Sequence, residues 1–216
     1  MLVHFPADLR CWCVRLLLVL LIVVTFSSVA FAEGPAVRVE EDWELVIATP
    51  DPDRDAPQVT CVLSPQGSLD SYYVTFELNH QSELTFEAGG LQLQIWDAEA
   101  LIGDKGYPDR NILATAGETI TWTQSVEVRD GVATFEVTNG SSTTWGTFGG
   151  QGYLKAMLPT ELSNVSGSSS AVSTGHSGVS YAANRVGSLT LKKVRYYNAD
   201  GKLIAEDTAP KVVQSL

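Results

Sequence analysis

Apolar side chains recur at every second position through most of this chain, and a period of two is the spacing of a pleated strand with one buried face. In Val37-Arg38-Val39-Glu40-Glu41-Asp42-Trp43-Glu44-Leu45-Val46-Ile47, one face gathers Val37, Val39, Trp43, Leu45 and Ile47, and the other is charged as far as Val46. Tyr72, Val74, Phe76 and Leu78 share a face opposite Tyr73, Thr75 and Glu77. Leu84 and Phe86 carry the pattern to Gly89-Gly90, which reads as a turn or bulge. Beyond it, Leu91, Leu93 and Ile95 oppose Gln92, Gln94 and Trp96. Helical spacing is almost absent.

Two hairpins follow from the same pattern. Over 119–138, Trp122, Val126 and Val128 line one arm and Ala133, Phe135 and Val137 the other, with Arg129-Asp130-Gly131 as the tight turn. Over 188–206 the turn is Asn198-Ala199-Asp200-Gly201. The apolar set there shifts phase from Leu189 and Leu191 to Val194 and Tyr196, which predicts a bulge near Lys192-Lys193.

Strands this numerous, separated by turn signals, predict an all-β chain. The expected architecture is a single β-sandwich or jelly-roll-like domain of about ten strands, with a closed barrel as the rival. Two segments read as loops: 97–111, polar with Gly and Pro, and 164–184, rich in Ser and Gly. The second is long for a connection in a compact domain, so a functional or mobile loop is expected there.

Residues 1–32 read as a signal peptide ahead of a domain spanning 33–216. Arg10 and Arg15 precede the uncharged run Leu16 to Phe26, and Ala30-Phe31-Ala32 supplies an A-x-A cleavage site before Glu33. A spanning helix needs about 20 apolar residues, and only 17 separate Arg15 from Glu33, two of them serines. The expected address is therefore secreted or extracytoplasmic, periplasm or cell surface in a bacterial host, with no membrane insertion after cleavage.

Removing 32 of the 216 residues leaves 184 with 12 basic and 24 acidic side chains, a formal charge of −12. Such a surface repels phosphate backbones, so no nucleic-acid partner is expected. Cys11 and Cys13 leave with the signal and Cys61 remains alone, so the core must hold without an internal disulfide. Alternation pairs Cys61 with Val59 and Leu63, the setting of a small buried apolar residue.

The chemistry-bearing patterns are incomplete. Asp51-Pro52-Asp53-Arg54-Asp55 spaces three carboxylates as calcium loops do, but Ala56 and Val62 stand where an EF-hand needs Gly and an acid. No cofactor is expected, and calcium stays open only through an irregular oxygen-rich loop. His80, His176 and Cys61 do not have zinc spacing. Gly175-His176-Ser177-Gly178 lacks the last glycine of a nucleophile elbow, Val179 standing there. Jelly-roll glycosidases can carry E-x-D-x-x-E on one strand; here Glu40-Glu41-Asp42-Trp43-Glu44 ends in Leu45. Glu77, Glu127 and Glu136 read as solvated strand carboxylates. No catalytic or metal residue is assigned.

An aromatic and polar surface is left. Trp96 beside Gln92 and Gln94 on one sheet face can stack on a sugar ring while the amides bond its hydroxyls; the competing placement turns Trp96 inward over the core. The glycine-rich segment 139–150 offers Trp145 and Phe148 among hydroxyls, or else a tight corner packing both rings into the sandwich end. Asn139-Gly140-Ser141 and Asn164-Val165-Ser166 match the N-glycosylation sequon. The expected function is a non-enzymatic domain binding carbohydrate or another surface ligand through Gln92, Gln94, Trp96, Trp145 and Phe148. The alternatives are a structural or protein-interaction module of the cell envelope and a polysaccharide-acting enzyme.

Overall fold

The computed structural model describes residues 22–24, 34–49, 59–79, 90–108, 115–150, 152–173 and 186–215. They form two antiparallel sheets and no helix, so none is present to cross a membrane. The first sheet contains β1 (Ile22–Val24), β3 (Val59–Ser64), β4 (Tyr72–Asn79), β5 (Gly90–Asp97), β6 (Ala100–Pro108) and β11 (Ser169–Ser173), in the order β1-β11-β3-β4-β5-β6. The second contains β2 (Arg38–Ile47), β7 (Thr119–Arg129), β8 (Val132–Ser142), β9 (Gly146–Phe148), β10 (Lys155–Pro159), β12 (Val186–Tyr197), β13 (Leu203–Asp207) and β14 (Lys211–Ser215). Its order is β10-β8-β7-β2-β12-β13, with β14 also on β12 and β9 on β8. The chain forms a β-sandwich, and thirteen of the fourteen described strands fall within 33–216, where about ten were expected.

Alternation explains the packing. β2 alternates half-buried and buried positions along its whole length, and its partner β7 pairs Trp43 with Trp122 in register. The two indoles are nearly parallel, 9° apart with centroids 6.3 Å apart, and are the largest fully buried side chains. Phe76 of the opposite sheet meets Trp122 edge-on at 5.5 Å, and Phe148 lies 6.3 Å beyond Phe76. An aromatic spine thus joins the sheets at the centre of the core. Burying a side chain of this size contributes about 2–3 kcal/mol each, so the core holds by packing. Cys61 is fully buried within it, and burial raises its thiol well above the ordinary range, with the charges of Glu41 and Glu77 adding to the rise.

Both predicted hairpins form. Asp130 and Gly131 have φ of 52° and 74°, the geometry of a two-residue turn that follows the right-handed strand twist. β12 and β13 meet around Gly201, and the register of β12 against β2 shifts between Leu191 and Lys193, where the phase change predicts a bulge. Both expected loops contain strands. Segment 97–111 turns at Ala98 (φ 49°) and returns as β6 along β5. Segment 164–184 contains β11, paired with β3, and its Ser170 is fully buried. Serine and glycine hid these strands because neither contributes an apolar period, yet both pair well enough within a sheet. Leu84, Phe86 and Gly89 lie outside the described residues.

β1, which lies in the apolar run of residues 16–26, pairs with β11 at the edge of the first sheet. The chain is anchored from Ala36 onward: Ala36 donates its N–H to Ser166 Oγ at 3.0 Å and accepts from Val165 N at 2.7 Å.

Candidate functional site

The outer face of the first sheet carries the sequence-predicted surface. Antiparallel register sets Tyr73 opposite Trp96, Thr75 opposite Gln94 and Glu77 opposite Gln92. Trp96 therefore stays on the glutamine face and does not turn inward. Its indole N–H donates to Gln94 Oε1 at 3.2 Å, Gln94 Nε2 donates to Gln92 Oε1 at 3.1 Å, and Thr75 Oγ1 donates to Gln94 Oε1 at 3.4 Å. Gln92 and Gln94 are 6% and 3% exposed, so the amides hold the tryptophan rather than present themselves to solvent. The Tyr73 and Trp96 rings lie 6.3 Å apart and 3° from parallel, both half-buried. Burial and the nearby Glu99 raise the Tyr73 phenol, which keeps it neutral. Leu101 continues the row across β6 and is half exposed, as is Ile102 beside it.

Glu77 departs from the expectation of a solvated carboxylate. It is fully buried on this face and accepts from Thr60 Oγ1 at 2.5 Å. Glu127 and Glu136 are half-buried and ion-paired, with Arg129 at 3.1 Å and Lys155 at 3.7 Å.

Trp145 and Phe148 are elsewhere. Both belong to the core, 6% and 2% exposed, and pack edge to face at 6.3 Å. The glycine-rich corner is the tight turn that seats them, and neither ring has surface to offer a ligand. Glu118 holds that corner, accepting from Ser142 Oγ (2.6 Å), Thr144 N (2.8 Å) and Thr144 Oγ1 (2.6 Å). Burial pushes its carboxyl up, but these hydrogen bonds outweigh burial and lower it.

A carboxylate inside the sandwich escaped the sequence reading. Glu41 shares parity with Val39 and Trp43 and is 1% exposed. It accepts from Gln124 Nε2 at 2.7 Å, Trp43 Nε1 at 3.1 Å and, across the sandwich, Ser170 Oγ. Burial raises its carboxyl against the pull of these donors. Alternation placed it inward; its charge masked the signal.

The outer face of the second sheet holds a groove of about 460 Å³. Its floor is the Trp43–Trp122 level of β2 and β7, and its walls carry Asp42, Glu44, Thr121 and Thr123. Lys192, Arg195 and Asn139 complete the lining. Arg195 grips Asp42 with both terminal nitrogens (2.6 and 2.8 Å) and Glu40 with Nε (3.0 Å). Those bonds raise its guanidinium further, so it is always charged. Thr123 Oγ1 donates to Asp42 Oδ1 at 2.8 Å, and Lys192 Nζ to Glu44 Oε1 at 3.1 Å. β2, β12 and the β7–β8 hairpin build this groove together, and no local motif announces it.

No group of three metal-ligating side chains occurs among the described residues. Asp51, Asp53, Asp55, His80 and the 175–178 tetrapeptide lie outside them. No family model matches the chain, and neither does any curated protein. Solved structures of similar shape include scytalido-glutamic peptidase with a peptide-based transition-state analogue, at 10% identity and TM-score 0.39 over 83% of each chain. The same peptidase with a transition-state analogue inhibitor gives 10% and 0.38 over 82% of each. SCP-B, a member of the Eqolisin family of peptidases in complex with the tripeptide Ala-Ile-His, gives 10% and 0.35 over 83% of this chain and 82% of that one. Likeness at this level carries nothing about chemistry, and the sandwich rests on the chain's own sheets.

Proposed function

We propose that this chain is an exported, non-enzymatic β-sandwich that binds carbohydrate through the Tyr73–Trp96 platform. The observation that carries the reading is the parallel pair of half-buried rings at the end of a sheet face, with the indole nitrogen held by Gln94. A parallel aromatic pair offers ring area to the apolar face of a sugar at little conformational cost, because two χ angles fix each side chain. The groove carboxylates Asp42 and Glu44 are engaged by Arg195 and Lys192, which favours binding over acid–base work. Export is supported by the leader pattern ending at Ala32, and N-terminal sequencing of the secreted product should begin at Glu33.

The test is retention on insoluble polysaccharides (cellulose, chitin and xylan) by the protein and by Trp96→Ala and Tyr73→Ala. Retention on one of them, weakened at least about tenfold by each substitution, is expected for a stacking anchor. Retention on none, or variants that bind unchanged, removes the reading. The half-exposed Leu101 and Ile102 beside the platform favour a second reading, a protein-docking surface. Loss of binding to a protein partner on Leu101→Ser, without competition by soluble sugars, would select it.

A further inference from the structure

We infer that the groove on the outer face of the second sheet is a separate ligand site for one neutral, polyhydroxylated ring, such as a terminal or branching sugar residue. Two of the register shifts in these sheets converge on it. On one side of β2, the β12 register shifts between Leu191 and Lys193, which leaves Lys192 as the extra residue. On the other side, β8 skips register against β7 between Thr121 and Thr123, at Asn139-Gly140. Asn139 is exposed and takes φ of 54°, a left-handed conformation uncommon outside glycine. Bulges re-aim side chains, and here both bulges deliver polar groups to the lining of one cavity.

The lining chooses the ligand class. Asp42 and Glu44 balance Lys192 and Arg195, so a charged ligand gains little net attraction and has to displace an existing ion pair. A hydroxyl both donates and accepts, and can join such pairs without breaking them. An ammonium has three donors, and Lys192 uses one of them on Glu44 among the described residues. Thr121 adds a neutral hydroxyl, and the Asn139 amide, whose nitrogen donates to Thr123 Oγ1 at 3.3 Å and Thr138 Oγ1 at 3.4 Å, adds a neutral amide at the rim of an open groove of about 460 Å³. The choice of a sugar rests on the same carbohydrate reading as the platform; the location does not.

Backbone-amide NMR with the methyl glycosides of glucose, galactose, mannose and N-acetylglucosamine tests the site. Expected are shifts at 42–44, 121–123, 138–140 and 191–195 for at least one glycoside, with affinity weakened about fivefold or more by Lys192→Met, Glu44→Gln or Asn139→Gly. Asn139→Gly keeps the left-handed backbone, so it reports the amide rather than folding. Trp96→Ala should leave these shifts unchanged. No groove shift with any glycoside up to about 100 mM overturns the inference. Shifts confined to residues near 73 and 96 also overturn it while leaving the platform intact. Groove binding of glucuronate or glucosamine but of no neutral glycoside overturns the choice of class.

Discussion

Glu41 and Gln124 face each other across β2 and β7 inside the sandwich, with the Gln124 amide 2.7 Å from Glu41 Oε2. With Trp43 Nε1 and Ser170 Oγ, that amide surrounds a carboxyl which burial raises above 4.5. A raised acid means that the folded state holds its proton more tightly than the unfolded chain, so stability falls as pH rises from 4.5 toward the folded value. Glu41→Gln keeps an acceptor for Trp43 and Gln124 and offers a donor to Ser170, whose hydroxyl can reverse. Melting the two proteins between pH 4.5 and 7 should show the variant gaining on the parent as pH rises. A constant difference across that range would show that Glu41 does not titrate within it.

Glu118 works in the opposite direction. Its hydrogen bonds to Ser142 and Thr144 lower it below 4.5, so the stability it contributes is present above 4.5 and lost as pH falls through the folded value. Glu118→Ala takes the carboxylate acceptor away from Ser142 Oγ and Thr144 Oγ1, and is expected to cost about 1–3 kcal/mol at neutral pH. In urea melts that loss should shrink at pH values well below 4.5, where the parent carboxyl is itself protonated. A loss of equal size there would mean that the corner does not depend on the charge.

The same corner has little steric tolerance. A Cβ on Gly140 would stand 2.1 Å from the Phe148 ring, which is 2% exposed and wedged against Trp145. Gly140→Ala must displace a core aromatic and should cost about 1–3 kcal/mol or more. Gly146, at φ 69° with nothing near its missing Cβ, is the control. Gly146→Ala carries only the left-handed backbone cost of about 1–2 kcal/mol. Chemical denaturation should separate the two further when Phe148→Leu is added: the smaller side chain relieves Gly140→Ala and leaves Gly146→Ala unchanged.

The contrast between these residues shows what was legible in the sequence. Parity alone put Trp96 on the glutamine face and Glu41 inside, because a strand cannot turn one side chain without turning its neighbours. Charge concealed Glu41 from a reading that sorted residues by polarity. Trp145 and Phe148 had no strand parity to settle them, since a corner of glycines permits either placement, and the Glu118 contact that seats them spans 24 to 26 residues. Ser170 and its strand β11 were hidden by composition. The groove is the least legible feature, since Asp42, Thr121, Asn139 and Lys192 meet only after β2, β7, β8 and β12 have found their registers.

Gln94 is a positioning residue for the platform. Its Oε1 accepts from both Trp96 Nε1 and Thr75 Oγ1, and its side chain is 3% exposed, out of reach of a ligand stacked on the rings. Replacing it with leucine keeps volume and apolar packing but leaves the indole N–H without its acceptor, so Trp96 gains rotamer freedom. Binding then has to order the ring again, at about 0.5–1.5 kcal/mol for one side chain. Gln94→Leu should therefore weaken polysaccharide retention about two- to tenfold, with a lower NMR order parameter for the Trp96 indole N–H. If Gln94→Leu lowers retention while that order parameter stays unchanged, the amide contacts the ligand itself and the positioning role is wrong.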